Sequence, residues 1–305
     1  MHTLARRVVV SGIGLHSGRP ASVSLAPLPH HSPHPHLVTA QLNGVMTPLA
    51  PALVSETTLA TTLSIGRCSV ATVEHMMSAL VGSGIDAAII EIEANQGADT
   101  VEMPILDGSA SEWVQAIASC GRAELSGDTS SATCALLAPL DRPLRVDDPK
   151  GTDGFIAYSP GAAADPDVCS LDVSVDYPAL GKQQLCWDFD PWTEAGRAAY
   201  AADIAPARTF TFESELDALR AAGLAAGGSL HNALVYTASG ALHSDQSRDM
   251  LRFPDDEAVR HKTLDLIGDL TLAPAAFHRL RGGVVVAHKP GHALNVAFAA
   301  ALAAL

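Results

Sequence analysis

The sequence predicts an α+β protein built from two domains, and three observations predict it. Its 305 residues exceed the usual span of a single hydrophobic core. The segment 124–133, E-L-S-G-D-T-S-S-A-T, is mostly small and polar, which is linker composition. Strand-like and helix-like periods occur on both sides of that segment. The domains are therefore placed at 1–124 and 133–305, with the linker over 125–132.

Taken in order, the first strand is the β-branched run at 7–10, R-V-V-V, which leads into a glycine-containing turn. An apolar helical period over 73–81 carries Glu74 and His75, the β-rich run 85–92 follows as a strand, and 109–118 reads as a helix opening at Ser109. Beyond the linker, strands are read at 171–177 and 184–189, helices at 193–202, 213–222 and 255–272, then a strand at 283–288 and a tail helix after His292. Laid over each other, the halves repeat weakly. A helix carrying His75 leads to a strand, a loop and a helix; a helix carrying His261 leads to a strand, a glycine-marked loop and the tail helix. If the halves pack about a pseudo-twofold axis, the two histidine helices meet at the interface, where clefts commonly form.

Composition narrows the function. Apolar residues make up 48% and charged residues 17% of the chain, which fits a compact fold and excludes disorder. A formal charge of -14 excludes general nucleic-acid binding, because phosphate backbones are held by clustered Lys and Arg. Basic side chains are densest near the C-terminal end, at Arg252, Arg260, Lys262, Arg279, Arg281 and Lys289, so an anionic small molecule is expected there. Five cysteines without a C-x-x-C pair suggest neither a disulfide framework nor a cysteine-rich zinc site, and fit a reducing cytoplasm. No signal-peptide pattern precedes the first strand, and the apolar tail at 293–305 is shorter than the ~20 residues that span a bilayer, so no membrane insertion is expected.

Three motifs carry chemistry. His261 and Asp265, in R-H-K-T-L-D-L-I-G-D-L, lie four apart on a helix and project from one face. Alone, that spacing is also an ordinary surface pair. Glu74 and His75 interrupt an otherwise apolar helix in T-V-E-H-M-M-S-A-L, where charge needs a reason. Two histidines and one carboxylate leave a zinc ion with an open position for water, as in catalytic sites, and Glu74 beside a ligand suits the base. In K-P-G-H-A-L-N, His292 stands at a helix start, where a bland capping role is the alternative. The His30, His31, His34, His36 tract is rich enough to bind metal, but its prolines deny it regular structure and no acid completes it, so it reads as a surface loop.

These motifs together resemble the UDP-3-O-acyl-N-acetylglucosamine deacetylases. The match is carried in order by S-G-I-G-L-H-S-G (11–18), T-V-E-H-M-M-S-A-L (72–80), G-I-D (84–86), M-P-I-L-D-G-S-A (103–110), A-R-T-F-T-F (207–212), G-G-S (227–229), R-H-K-T-L-D-L-I-G-D-L (260–270) and G-H-A-L-N (291–295). The resemblance implies a two-domain α/β sandwich with pseudo-repeated sheet-and-helix layers and an active site at the domain interface. It implies a cytoplasmic enzyme that removes acetate from UDP-3-O-(3-hydroxyacyl)-N-acetylglucosamine, the committed step toward lipid A.

By the same resemblance, His75, His261 and Asp265 are the ligands of one catalytic Zn2+, and Glu74 is the general base. His292 is the general acid, oriented by Asp269. Thr209 stabilises the oxyanion, and Lys262 is a cation near the reacting centre and the diphosphate. Lys289 is a further phosphate contact, and Tyr177 stands where an aromatic ring packs on uracil. An inserted strand-helix-strand unit around 209–235 forms a passage for the acyl chain; Phe210 and Phe212 bracket it and Leu216, Leu230, Ala233 and Val235 line it. A monomer acting on an acylated UDP-amino sugar is expected, with a single activity. Ala60 departs from the pattern, since a number of relatives carry a Cys there, and His231 and Asn232 receive no role. A zinc hydrolase of another N-acetyl sugar and a noncatalytic nucleotide-sugar binding protein are the competing readings.

Overall fold

The computed structural model of the chain describes residues 1–29, 38–92, 100–125 and 137–305. Its frame is a pair of five-stranded sheets with one shared topology. In the first, Val8–Ile13, Pro20–Ala26, Ile89–Ile92, Thr39–Leu42 and Val45–Pro48 lie side by side in that order. In the second, the order is Leu144–Asp147, Phe155–Ser159, Val284–His288, Cys169–Tyr177 and Gly181–Phe189. The third and fourth strands are parallel in both sheets and every other pair is antiparallel. A parallel neighbour requires a crossover, and in each half a helix supplies it. Each half thus runs through four strands, an inserted segment, a helix, a strand that enters the middle of its sheet, and a further helix.

Alternation explains the strands. Cys169, Leu171, Val173 and Val175 are buried while Ser170, Asp172 and Ser174 turn toward the other face. Between the sheets the helices form two inner layers. Helix Ser111–Cys120 rests on strand Val8–Ile13, and helix His292–Ala303 on Leu144–Asp147 and Phe155–Ser159. Helix Glu74–Gly82 packs on helix Glu257–Leu270, and both are buried on nearly every side, as an interior helix must be. One continuous apolar core, from Leu4 to Leu302, runs through both halves.

The inserted segments occupy the same place in each half, between the fourth strand and the histidine-bearing helix. The first folds into Val54–Glu56, Thr62–Ile65 and Cys68–Ala71, a sheet extended by Thr100–Glu102. The second holds helix Glu194–Asp203 and the parallel strands Phe210–Phe212 and Leu234–Tyr236, with helix Leu216–Ala221 between them.

Several elements differ from their sequence reading. The strand read at 85–92 covers only Ile89–Ile92, because Gly84 turns the chain at φ 70 and the N–H groups of Asp86 and Ala87 bond the His2 carbonyl instead of a neighbouring strand. The helix read at 213–222 opens as a 3-10 turn, Glu213–Glu215, before Leu216–Ala221. Helix Ala276–Leu280 and the short strands of the first insert lie outside the reading altogether. The linker read at 125–132 lies, from residue 126 on, outside the described residues, as does the histidine tract at 30–36.

Candidate active site

The site forms where the two buried helices cross. On helix Glu257–Leu270, His261, Asp265 and Asp269 recur every four residues and share one face. On helix Glu74–Gly82, Glu74 and His75 occupy the first turn. Gly268 lets the helices touch: a β-carbon there would lie 2.0 Å from the Glu74 carbonyl oxygen, so only glycine admits this backbone approach.

His75 Nε2 lies 3.6 Å and His261 Nε2 3.5 Å from Asp265 Oδ1. Tetrahedral zinc with bonds near 2.0–2.1 Å separates its ligand atoms by about 3.3 Å, so this spacing fits the ion. The donor chemistry fits as well. Asp265 Oδ1 is buried with no hydrogen-bond partner, while Oδ2 accepts from Lys262 Nζ at 2.7 Å. His261 Nδ1 is 3.1 Å from the Ala207 carbonyl; donating there leaves Nε2 with a free lone pair, the usual outer bond of a ligating histidine. Burial pushes the His261 imidazole down to about 3, so it is neutral and able to ligate. Burial works against charge on Asp265, but His261 and Lys262 outweigh it and hold the carboxyl well below its ordinary value. For Lys262, burial is likewise outweighed by Asp265, and its pKa is raised.

A second buried group, Glu74, Asp269 and His292, adjoins the first. His292 Nδ1 donates to Asp269 Oδ2 at 3.0 Å, which turns Nε2 toward the His75–His261–Asp265 group; Nε2 is 4.0 Å from Asp265 Oδ2. Burial opposes the imidazolium, but the Asp269 charge and hydrogen bond prevail and raise His292 to about 9. Glu74 Oε2 accepts from the Thr61 amide at 3.1 Å, and burial raises the Glu74 carboxyl above its ordinary value.

One cavity is lined by Glu74, His75, His261, Asp265 and His292, and also by Thr209, Lys262, Tyr177, Phe210 and Phe212. Tyr177 meets Phe210 and Phe212 edge-on or tilted, at 5.3 and 5.5 Å between ring centres. A neighbouring, largely apolar cavity shares Leu15, His16, Leu59, Thr209, Phe210 and Glu215 with it and continues along Leu216, Leu219, Leu230, Ala233 and Val235, with Arg220 also on its wall. Asp269 stands behind His292 rather than on the cavity wall. Lys289 is not among the lining residues; its ammonium pairs with Asp153 at 2.7 Å. The A-R-T run is anchored by Arg208, whose buried guanidinium pairs with Glu257 at 2.9 Å, so Ala207 and Thr209 are fixed against the His261 helix. Thr209 N–H also bonds the Gly108 carbonyl at 2.7 Å, which joins it to the L-D-G-S turn of the first half.

Three site residues escaped the sequence reading. Thr61 Oγ1 donates to Asp269 Oδ1 at 2.6 Å, and Asn295 Nδ2 donates to Asp269 Oδ2 at 2.9 Å. Asn295 carried a signal, since it follows His292 by three on one helix face; Thr61 carried none. His16 lies on both cavities with its ring nitrogens buried and unpartnered, inside the quoted S-G-I-G-L-H-S-G motif.

An α+β fold that buries a nitrogen and carboxylate donor set beside a carboxylate and a protonated imidazole is the frame of a hydrolytic enzyme. The family described as UDP-3-O-acyl N-acetylglycosamine deacetylase matches residues 1–304, and the chain belongs to that family. It is 36% identical to the UDP-3-O-acyl-N-acetylglucosamine deacetylase of Trichormus variabilis over 304 residues, 100% of this chain and 98% of the relative. It is 37% identical to the enzyme of that name from Anaeromyxobacter dehalogenans over 296 residues, 97% of this chain and 84% of the relative. A probable mitochondrial deacetylase of the same name from Arabidopsis thaliana is 36% identical over 302 residues, 96% of this chain and 85% of the relative.

Proposed function

We propose that the chain is a zinc-dependent deacetylase that hydrolyses the N-acetyl group of UDP-3-O-(3-hydroxyacyl)-N-acetylglucosamine, the committed step of lipid A synthesis. Beside the full-length family match, the observation that carries this reading is the unpartnered, buried Asp265 Oδ1 facing two imidazole nitrogens. His75, His261 and Asp265 would hold the ion. Zinc bound there supplies polarisation of the acetyl carbonyl and a water whose pKa falls to about 7.

The remaining chemistry belongs to side chains. Glu74 removes a proton from the attacking water as its oxygen bonds the carbonyl carbon. The Thr209 hydroxyl and the Lys262 ammonium stabilise the charge that develops on the carbonyl oxygen. His292, protonated through Asp269, delivers a proton to the sugar nitrogen as the carbon–nitrogen bond breaks, and acetate and the free amine leave. Tyr177 and Phe212 provide aromatic faces for the nucleoside, Lys289, once released from Asp153, a cation for the diphosphate, and the cavity beyond Phe210 a passage for the acyl chain.

No helix among the described residues is long and apolar enough to cross a membrane; we read the protein as a cytoplasmic monomer. The repeated topology supports a division into domains at 1–124 and 133–305. The deciding experiment is acetate release from the defined acylated UDP-sugar before and after treatment with a chelator. Turnover that survives complete metal removal would overturn the zinc reading, and equal turnover of the sugar lacking its 3-O-acyl chain would point to another N-acetyl substrate.

A further inference from the structure

We infer that Gln246 is a specificity-determining positioning residue, whose buried amide shapes the wall of the acyl passage and so sets the chain length the enzyme prefers. The inference rests on reading the apolar cavity as that passage. Gln246 lies in S-D-Q-S, outside every motif quoted above. The chain reaches it by reversing direction after strand Leu234–Tyr236: Gly240 turns at φ 79, Leu242 pairs back with Tyr236, and the His243 amide bonds the Val235 carbonyl at 2.8 Å. A further turn, closed by the Gln246 amide on the His243 carbonyl, folds the side chain beneath the wall, where Gln246 is 5% exposed.

All three hydrogen bonds of that side chain go to the passage wall. Oε1 accepts from Val235 N–H at 3.0 Å, and Nε2 donates to the carbonyls of Leu230 and Ala233, both at 2.9 Å. Leu230, Ala233 and Val235 line the apolar cavity, and none of them lines the cavity that holds the metal ligands. Ahead of Leu234 this wall is loop, and no strand ladder fixes the Leu230 and Ala233 carbonyls. Side-chain amides do that work: Asn232 clamps Gly227 and Ser229 in the same manner, at 3.0 and 2.8 Å. A primary amide alone offers two N–H donors and an oxygen acceptor at one tip. A carboxylate in its place would face two carbonyl oxygens, and an apolar side chain would leave three backbone groups unpaired. Either change turns the Leu230 and Ala233 carbonyls toward the passage and rotates the side chains that touch the lipid.

The test compares kcat and KM of the wild type, Gln246→Met, Gln246→Glu and Gln246→Asn on the long-chain substrate and on a counterpart shorter by about four methylenes, a difference worth about a hundredfold in kcat/KM. In the Met and Glu variants the preference is expected to fall to about tenfold or less, through a higher KM for the long chain, with kcat on the short substrate and metal content unchanged. The shorter Asn side chain keeps donor and acceptor atoms, and an intermediate preference is expected. Variants that keep the wild-type preference, or that lose kcat alike on both substrates, would overturn the inference. Should the Met and Glu proteins not fold, the Asn variant decides, since an unchanged preference in it overturns the inference too. A wild type with no preference removes the passage reading itself, and this inference with it.

Discussion

His292 keeps its proton to about pH 9 because Asp269 bonds Nδ1 and places a negative charge beside a ring that burial alone would discharge. The sign of a change at Asp269 follows. In Asp269→Asn the charge is lost, the imidazole pKa falls, and the acid form disappears at lower pH. The alkaline limb of kcat/KM is therefore expected to move down by about one unit or more, which a pH profile of acetate release measures. An unmoved limb would remove His292 as the acid. Under the proposed mechanism the acidic limb belongs to Glu74, whose carboxyl burial raises above its ordinary 4.5. Glu74→Gln should lower kcat by about 10²–10⁴-fold while metal content stays full, since Glu74 is outside the donor set. In the sequence the His261–Asp265 spacing alone also reads as an ordinary surface pair; the resemblance, not the spacing, gathers His75, His261 and Asp265 into one set, and the structure brings their side chains together. Thr61 was not legible there, because its partners Asp269 and His292 come from the far half of the chain and no local pattern announces them.

At the scale of elements, the crossing of helices Glu74–Gly82 and Glu257–Leu270 is set by one missing β-carbon. Gly268→Ala would drive a methyl into the Glu74 carbonyl and part the helices, carrying His75 away from His261 and Asp265. A loss of about 1–3 kcal/mol in stability is expected, together with weaker metal retention; thermal melts and metal analysis check both. In the second insert, Ala233→Trp should fill the apolar cavity and penalise a long-chain substrate far more than a short one; equal losses would make the segment plain core. The histidine helices were readable because their periods run for several turns. Several strands were not: Thr100–Glu102 is too short to alternate, and the longer Pro20–Ala26 begins with proline and carries small side chains that mask its period. The two-stranded Phe210–Phe212 and Leu234–Tyr236 sheet is fixed by tertiary contact, chiefly Arg208 with Glu257 and Gln246 with the loop before it, which no periodicity encodes.

For the molecule as a whole, the donor set joins the halves, with His75 from one and His261 and Asp265 from the other. Under the proposed reading, metal held there would stabilise the packed form by mass action, and its removal is expected to lower Tm in the wild type but not in a His261→Ala, Asp265→Ala double variant. Full zinc in that double variant would dismiss the donor set. The doubled topology has a different outcome for the order in which the chain emerges from a ribosome. The middle strand of the first sheet, Ile89–Ile92, is made early, so that sheet closes while most of the protein is still unwritten. The middle strand of the second, Val284–His288, arrives long after the strands on either side of it. Until then Phe155–Ser159 and Cys169–Tyr177 belong to two separate hairpins with bare facing edges, the kind of surface that invites pairing with another nascent chain. Synthesis of this protein thus leaves its second half open to misassociation until Val284–His288 is in place.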